Sequence, residues 1–436
     1  MMKPFSIIFS LLLLMGNIYG TNGYFSIGHG IKSKGRAGTS TAYADEAFGG
    51  ANNPASMVYV GTRNDIDLTL FSPHRKASRR GETAAGGIYN FSSFSKRDYF
   101  LIPEMGFNYN LTDWISLGVT AYANGGMNTS YVNHNKVPGS NANPASCGTK
   151  GANLLLGCGE LGIDFMQMVI APTIAIRVGK FAIGASPLLT YQRFEAKGLQ
   201  AFAPLSKYPQ NLTNQGHDNS FGIGGRFGMM AKPFQWLTLG AVYTTETLTS
   251  PFGKYKGLFA EGGRLNVPSN FSVGFKLDPL PHISLGFDFR RIFYHSIPAI
   301  GNLQSTSLAN PLKPIGSSGG TGFHWRNQNV YKIAVEYTPI NSLTLRLGWN
   351  YGRSPIRSGI EDVTLNILAP AITENHLAFG ADYNFFDGRA ELKFFYLHGF
   401  SNTVTGPSVL ATIGIPGTET ITLFTNSFGL GFGWNW

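Results

Sequence analysis

From residue 62 to the C-terminus, apolar and polar positions alternate in stretches of about ten residues, each closed by a turn signal. In 342–351, Leu343, Leu345, Leu347 and Trp349 share one face, and Thr344, Arg346, Gly348 and Asn350 share the other. Ile283, Leu285, Phe287 and Phe289 alternate with Ser284, Gly286, Asp288 and Arg290 in the same way. So do Leu377, Phe379, Ala381 and Tyr383 with Ala378, Gly380, Asp382 and Asn384. A period of two with unlike faces predicts β-strands, one face apolar and one polar or small.

The connections choose the architecture. Tight turns at 110–113, 178–180, 231–235, 278–281, 338–341 and 386–389 alternate with long loops at 73–97, 128–164, 196–218, 249–266, 295–326, 354–372 and 401–423. All tight turns then lie at one end and all long loops at the other, as in transmembrane barrels and not in sandwiches. The pattern predicts fourteen strands, at roughly 62–72, 98–110, 114–127, 165–178, 181–195, 219–231, 236–248, 267–278, 282–294, 327–338, 342–353, 373–385, 389–400 and 424–436. The strand-like stretch 83–94 is read as an outward extension of the second strand, which keeps the count even. The fold class is all-β: a 14-stranded antiparallel transmembrane β-barrel.

The first sixty residues break the pattern. Lys3, the apolar run 5–15 and the small Gly20 read as a secretory signal peptide, 1–20. Residues 21–61 are polar and glycine-rich, with no sustained alternation. They read either as a periplasmic tail or as a plug inside the barrel formed by 62–436, whose fourteen strands enclose more space than side chains alone fill.

Composition agrees. Only 13% of residues are charged, 55 of 436 are glycine and 13% are aromatic. After residue 20 there is no run of eighteen apolar residues, so spanning helices are excluded. The formal net charge is +10 but dispersed, which speaks against a nucleic-acid partner. The one dense group, 74–80 (HRKASRR), reads as a solvated loop facing anionic lipid headgroups. Cys147 and Cys158, in an exported chain, are expected to form a disulfide; two ligands are too few for a metal site. The last strand carries Phe428, Leu430, Phe432, Trp434 and Trp436 on one stripe. That ending resembles the C-terminal signal read by barrel-assembly machinery, and with the export signal it predicts a monomer in the outer membrane, among lipid and lipopolysaccharide.

Residues 23–57 carry a family resemblance: the opening Gly23-Tyr24-Phe25, Gly35-Arg36-Ala37-Gly38, the small-residue stretch Ala42–Glu46, and Asn53-Pro54-Ala55. In this order behind a signal peptide they resemble the FadL/TodX family of outer-membrane transporters for long-chain fatty acids and other hydrophobic compounds. The resemblance implies a partly helical N-terminal hatch (21–61) and an external groove that first takes the lipophilic cargo. It further implies a lumenal pocket near the hatch N-terminus, and sideways release into the bilayer through a kinked third strand.

The sequence offers positions for these parts. Asn124, Gly125 and Gly126 are expected to form the kink, beside Pro103, which cannot donate to a ladder. Asn53, Pro54 and Ala55 read either as a gating hinge or as an ordinary turn. Phe25 reads as a pocket residue or a plug–wall contact. A carboxylate cargo needs a cation; the inward candidates are Arg290, Lys332 and Arg346, which the inward acids Asp288, Glu336 and Asp382 could instead neutralise. No cofactor is implied. A general porin and an outer-membrane lipid hydrolase are the alternative functions; the chain shows no nucleophile elbow and its nine histidines are dispersed.

Overall fold

The computed structural model describes residues 22–82, 89–132, 135–136, 147 and 151–436. The expected signal peptide and residues 83–88 of the expected strand extension lie outside the described residues. Fourteen antiparallel strands form a closed barrel: β1 (Arg63–Gly81), β2 (Phe100–Asn110), β3 (Ile115–Asn128), β4 (Gly162–Val178), β5 (Phe181–Lys197), β6 (Asp218–Phe234), β7 (Leu237–Thr244), β8 (Asn270–Leu280), β9 (Ile283–Ile292), β10 (Gln328–Ile340), β11 (Leu343–Gly352), β12 (Asn375–Phe385), β13 (Ala390–Pro407) and β14 (Gly417–Asn435). Closure is by β14 on β1, from Arg63↔Asn435 to Gly81↔Gly417. The short ladder segments Phe91–Phe94, Asn135–Lys136 and Leu248–Thr249 prolong the wall on its long-loop side.

The two strand faces have opposite chemistry. Ile66, Leu68 and Leu70 of β1 point outward and are exposed, beside Phe428, Leu430 and Phe432 of β14. Tyr109, Trp114, Trp236, Tyr337, Tyr383 and Trp436 are exposed close to the tight turns, an aromatic girdle at one membrane interface. The inward face carries the charge: Asp65, Asp67, Glu104, Arg226, Asp288, Lys332, Glu336, Arg346, Asp382, Glu391 and Lys393 are buried. A closed ladder satisfies the backbone in hydrocarbon, and the outward stripe replaces a globular core.

Two expectations are corrected. Residues 74–80 are not a loop: β1 runs on to Gly81, with Arg79 fully buried and bonded to Glu419 and Ser408. Nor is 401–423 a loop throughout, because β13 and β14 continue to Pro407 and from Gly417 around a short 3-10 helix, Val409–Ile413. The polar outward residues of this stretch, such as Thr403, Thr405, Thr420 and Thr422, still alternate. They lie above the apolar belt, where hydropathy no longer marks a strand.

Residues 22–61 fill the barrel. They form helix α1 (Ile31–Gly35), a 3-10 turn (Pro54–Ser56) and helix α2 (Met57–Val60), joined by irregular chain. Glycines on the wall make room for this backbone. A Cβ added at Gly106, Gly125 or Gly240 would stand 2.1 Å from the carbonyl oxygen of Ala47, Tyr24 or Thr41 respectively. No side chain fits such an approach, so the inward glycine stripe is the imprint of the plug.

Candidate functional site: a plugged lumen with an interrupted wall

The third strand leaves the wall half-way. β2 and β3 pair from Asn110↔Ser116 up to Met105↔Ala121 and no further, while β2 keeps its pairing with β1 as far as Phe71↔Phe100. From Thr120 to Asn128 every residue of β3 is buried, so the alternation of a wall strand is lost. Asn124 is an extra residue in the ladder to β4, between Ala123↔Met168 and Gly125↔Gln167. Such a bulge bends the strand that carries it. The bent strand takes a new partner: Phe25 bridges Gly125, Ser26 N donates to Asn124 O, and Gly126 N donates to Tyr24 O. Beyond the break the wall closes again, where Lys96 N donates to Ser130 O (2.9 Å). The interruption is therefore bounded at both ends, and the apolar cluster Phe71, Phe100, Ile102, Ala123 and Met166 packs beside it. Asn124, Gly125 and Gly126 lie on its inner edge, and Pro103 lies just past the last pair on β2.

A smaller defect lies next door. The β4–β5 ladder lapses between Ile170↔Leu189 and Ile174↔Ala185. That register sets Pro172 opposite Pro187, and neither has an N–H to give.

Phe25 sits where the plug meets the lumen. Its ring lies 4.9 Å from Tyr24 and 5.7 Å from Tyr294, and the Arg290 guanidinium lies 5.2 Å from its centre. Tyr294 in turn stacks edge-on against Trp325 and donates to Asn22 O. Phe25 is buried in this aromatic nest and in the stitch to β3 at once.

The plug carries five charges; the wall pairs with four of them, and the fifth, Asp45, pairs within the plug. Lys34 pairs with Glu104 (2.6 Å), Lys32 with Glu391 (2.5 Å), and Arg36 with Glu336 (2.8 Å) and the plug's own Asp45 (2.5 Å). Glu46 pairs with Lys393 (2.8 Å), which also meets Asp65 (2.7 Å) and Asp67 (2.9 Å). His29 lies 3.0 Å from Glu104; burial nevertheless pushes its imidazole down to about 4, so it is neutral near pH 7.

The three cations named from the sequence do not come together. Arg346 belongs to the matched network, bonded to Glu336 (2.5 Å) and to Asp382, at a polar cavity of about 600 Å³ on the tight-turn side. Arg290 and Lys332 share a different, small cavity of about 30 Å³ with His29, Asn52 and Arg226. There the donors reach neutral oxygens. Lys332 Nζ donates to Gly38 O (2.7 Å) and Ile27 O (3.3 Å), Arg290 to Asn270 Oδ1 (2.9 Å), and Arg226 to Gly50 O (2.8 Å) and Ala51 O. Asp288, beside Lys332 in register, accepts from Ser40 N and Thr41 N. Arg226 escaped the sequence reading, although Phe227 and Met229 on the lipid side place it inward by parity.

Asn53 is fully buried at the opposite end of the plug. Its Nδ2 donates to Thr41 O (2.7 Å) and Met229 O (3.1 Å), and its Oδ1 caps Ala55 N (3.0 Å). Pro54 and Ala55 rest against Gly184 and Gly228 of the wall.

Structural comparison places this geometry among solved channels. A Pseudomonas aeruginosa FadL homologue superposes with a TM-score of 0.68 at 15% sequence identity, over 95% of this chain and 99% of that one. The P. putida toluene transporter TodX gives 0.61 at 16% identity, over 94% and 99%. The Ralstonia pickettii toluene transporter TbuX gives 0.55 at 15% identity, over 92% and 98%. The chain has the FadL/TodX fold. No family model and no curated protein matches the sequence, so the likeness rests on architecture: a plugged fourteen-stranded outer-membrane-type barrel.

Two further features lie among the long loops. Leu199, Phe202, Leu212, Leu258, Phe259 and Phe323 line an apolar cavity of about 50 Å³. Cys147 and Cys158 are joined, with Cα atoms 5.3 Å apart. Among the described residues one group has metal-ligand chemistry, Asp164, Glu195 and His217. Cations already occupy it: Arg97 lies 3.6 Å from Asp164, Lys197 3.8 Å from Glu195, and Arg193 2.9 Å from His217.

Proposed function

We propose that the protein is a passive, hatch-gated channel that takes up long-chain fatty acids or other hydrophobic compounds across the outer membrane. The observation that carries this reading is the window between β2 and β3, with residues 24–26 of the plug stitched to its inner edge. Cargo enters through the apolar cavity among the loops, passes the aromatic nest around Phe25, and leaves sideways between β2 and β3. The opposite exit is unfavourable for an apolar molecule, because the tight-turn cavity is lined by Lys32, Asp45, Glu336 and Arg346. Desolvating such groups for an acyl chain costs several kcal/mol each. In this scheme residues 22–29 move, while Asn53, Pro54 and Ala55 anchor the hatch. The names of the structural neighbours, two toluene transporters and a FadL homologue, agree with a lipophilic cargo. A general porin is disfavoured by the filled lumen.

Removal of Asn124 tests the route. The deletion takes out the bulge and lets β3 return to the wall. Uptake of an eighteen-carbon fatty acid and of toluene is expected to be lost while the barrel still folds. Undiminished uptake in that variant overturns lateral release. Single-channel conductance with and without residues 21–57 separates the porin alternative, which requires a large open conductance in the intact protein.

A further inference from the structure

The dense basic run 74–80 is divided by the strand that carries it. Odd positions of β1 face inward there: Arg75 donates to Arg97 O, and Arg79 is bonded to Glu419 and Ser408. Even positions face outward. Ile66, Leu68 and Leu70 are exposed, and the same column continues through His74 and Lys76 to Arg80. One outer column thus passes from apolar to cationic as it rises toward the long loops. From Leu70 to Lys76 the strand advances roughly 20 Å along its axis, which lifts Lys76 above the hydrocarbon on the side of the outer leaflet.

The neighbouring strands complete a layered surface. Beside the apolar column stand Phe428, Leu430 and Phe432 of β14, all exposed. Higher up, exposed hydroxyls of β13 and β14 pair with one another, Thr403 with Thr422 (3.0 Å) and Thr405 with Thr420 (2.9 Å). In register, Thr422 lies opposite Lys76 and Thr418 opposite Arg80. On the other flank exposed Phe94 lies opposite Lys76, whose Nζ is 5.2 Å from the ring centre, and exposed Lys96 follows on the same segment. The nearby acids are placed elsewhere. Glu419 faces inward onto Arg79, Asp164 meets Arg97, Asp98 lies beside His74 and Arg75, and Glu82 stands at the outer end of the column. Among the described residues Lys76, Arg80 and Lys96 have no ion-pair partner.

We propose that this outer face of β13, β14, β1 and residues 91–96 is a docking site for the phosphorylated glycolipid of the outer leaflet, lipopolysaccharide. The order of chemistry up the wall is that of such a lipid: acyl chains against Leu70, Phe428 and Leu430, sugar hydroxyls against the threonine pairs, and phosphates against the cations. Lys76 and Lys96 are diagonal neighbours across the Phe94 register, about 7–8 Å apart, and can share one phosphate. Arg80, roughly 13 Å further along the strand, meets a separate one, with its guanidinium fork matched to two phosphate oxygens. An exposed cation gains little from a free counter-ion. A lipid already held by its tails presents its phosphates at high effective concentration, so tail and head bind together. The site lies outside the lumen and does not depend on the transport reading.

Native mass spectrometry of the purified full chain in neutral detergent tests this, with lipid A as the probe in bisphosphorylated and dephosphorylated forms. The bisphosphorylated form is expected to bind, dephosphorylation to weaken it by roughly tenfold or more, and inorganic phosphate not to displace it. Lys76→Gln combined with Lys96→Gln, and separately Arg80→Gln, are each expected to weaken the bisphosphorylated form by roughly tenfold. Lys180→Gln, at a tight turn on the opposite end of the barrel, is expected to leave it unchanged. Circular dichroism checks that each variant keeps the barrel, and the comparison of the two lipid forms on the intact chain needs no variant. Equal binding of the two forms, displacement by inorganic phosphate, or equal weakening by Lys180→Gln overturns the docking site. Equal affinity for phosphatidylglycerol also overturns it, since the face is then a general anionic surface and not a glycolipid site.

Discussion

The two sides of the hatch–wall contact obey different electrostatics. Around Lys393, every hatch charge is met by an opposite wall charge and the wall itself is continuous, β13 on β14 on β1. Around Lys332, the cations donate to carbonyl, amide and hydroxyl oxygens, while Asp288, opposite Lys332 in register, accepts from hatch N–H groups. Both clusters are buried, so the difference is not solvent. A matched cluster fixes a structure, because removing one member strands the rest.

The largest effect that would break this contrast concerns Lys393. Lys393→Met strips Glu46 and Asp67 of their cation and leaves Asp65 with Arg63 alone, and should lower stability by roughly 3–5 kcal/mol. The unfolding midpoint in denaturant reads it. Lys332→Met removes an unpaired buried charge together with two hydrogen bonds, so these effects offset and the global midpoint should move by under about 1 kcal/mol. Equal losses in the two variants would erase the distinction.

A pH titration sharpens it at His29, which meets Glu104 and also lines the cavity of Arg226 and Lys332. His29 is held near 4 in the folded chain against about 6.5 when exposed. The unfolded or undocked form therefore binds the extra proton between these values. Its contribution is complete above about 6.5 and is lost as pH falls toward 4. Exchange in residues 22–35 should speed up over that window, and His29→Gln should flatten this part of the profile. A profile unchanged by the substitution would show that His29 is not the group responsible.

A modest gain is expected in the wall. Pro172→Val together with Pro187→Val restores two donors to the β4–β5 ladder and should stabilise the barrel by about 1–2 kcal/mol. A loss of stability would mean that the prolines fit a conformation which valine cannot adopt.

Much of this was legible in the chain. Alternation and turn parity place the strands to within a few residues along the lipid belt, since burying one stripe in hydrocarbon requires that period. The Asn124-Gly125-Gly126 stretch in the sequence coincides with the register shift of β3 against β4. The reading faltered where lipid no longer acts: at 74–80 and 401–423 the strands rise above the apolar belt, and charged outward residues look like loop. The inward cations were half visible. Parity puts Arg290, Lys332 and Arg346 inward alike, and cannot say which meets an acid.

The sequence by itself determined the barrel, its even strand number and the inward charges, because hydrocarbon imposes a local, periodic rule on every strand. Tertiary structure alone decided that β3 would exchange β2 for residues 24–26, that Arg346 would be neutralised, and that Arg226 and Lys332 would hold hatch carbonyls instead. Those outcomes depend on contacts between residues up to 305 positions apart, and a pattern of period two carries no record of its partners across the lumen.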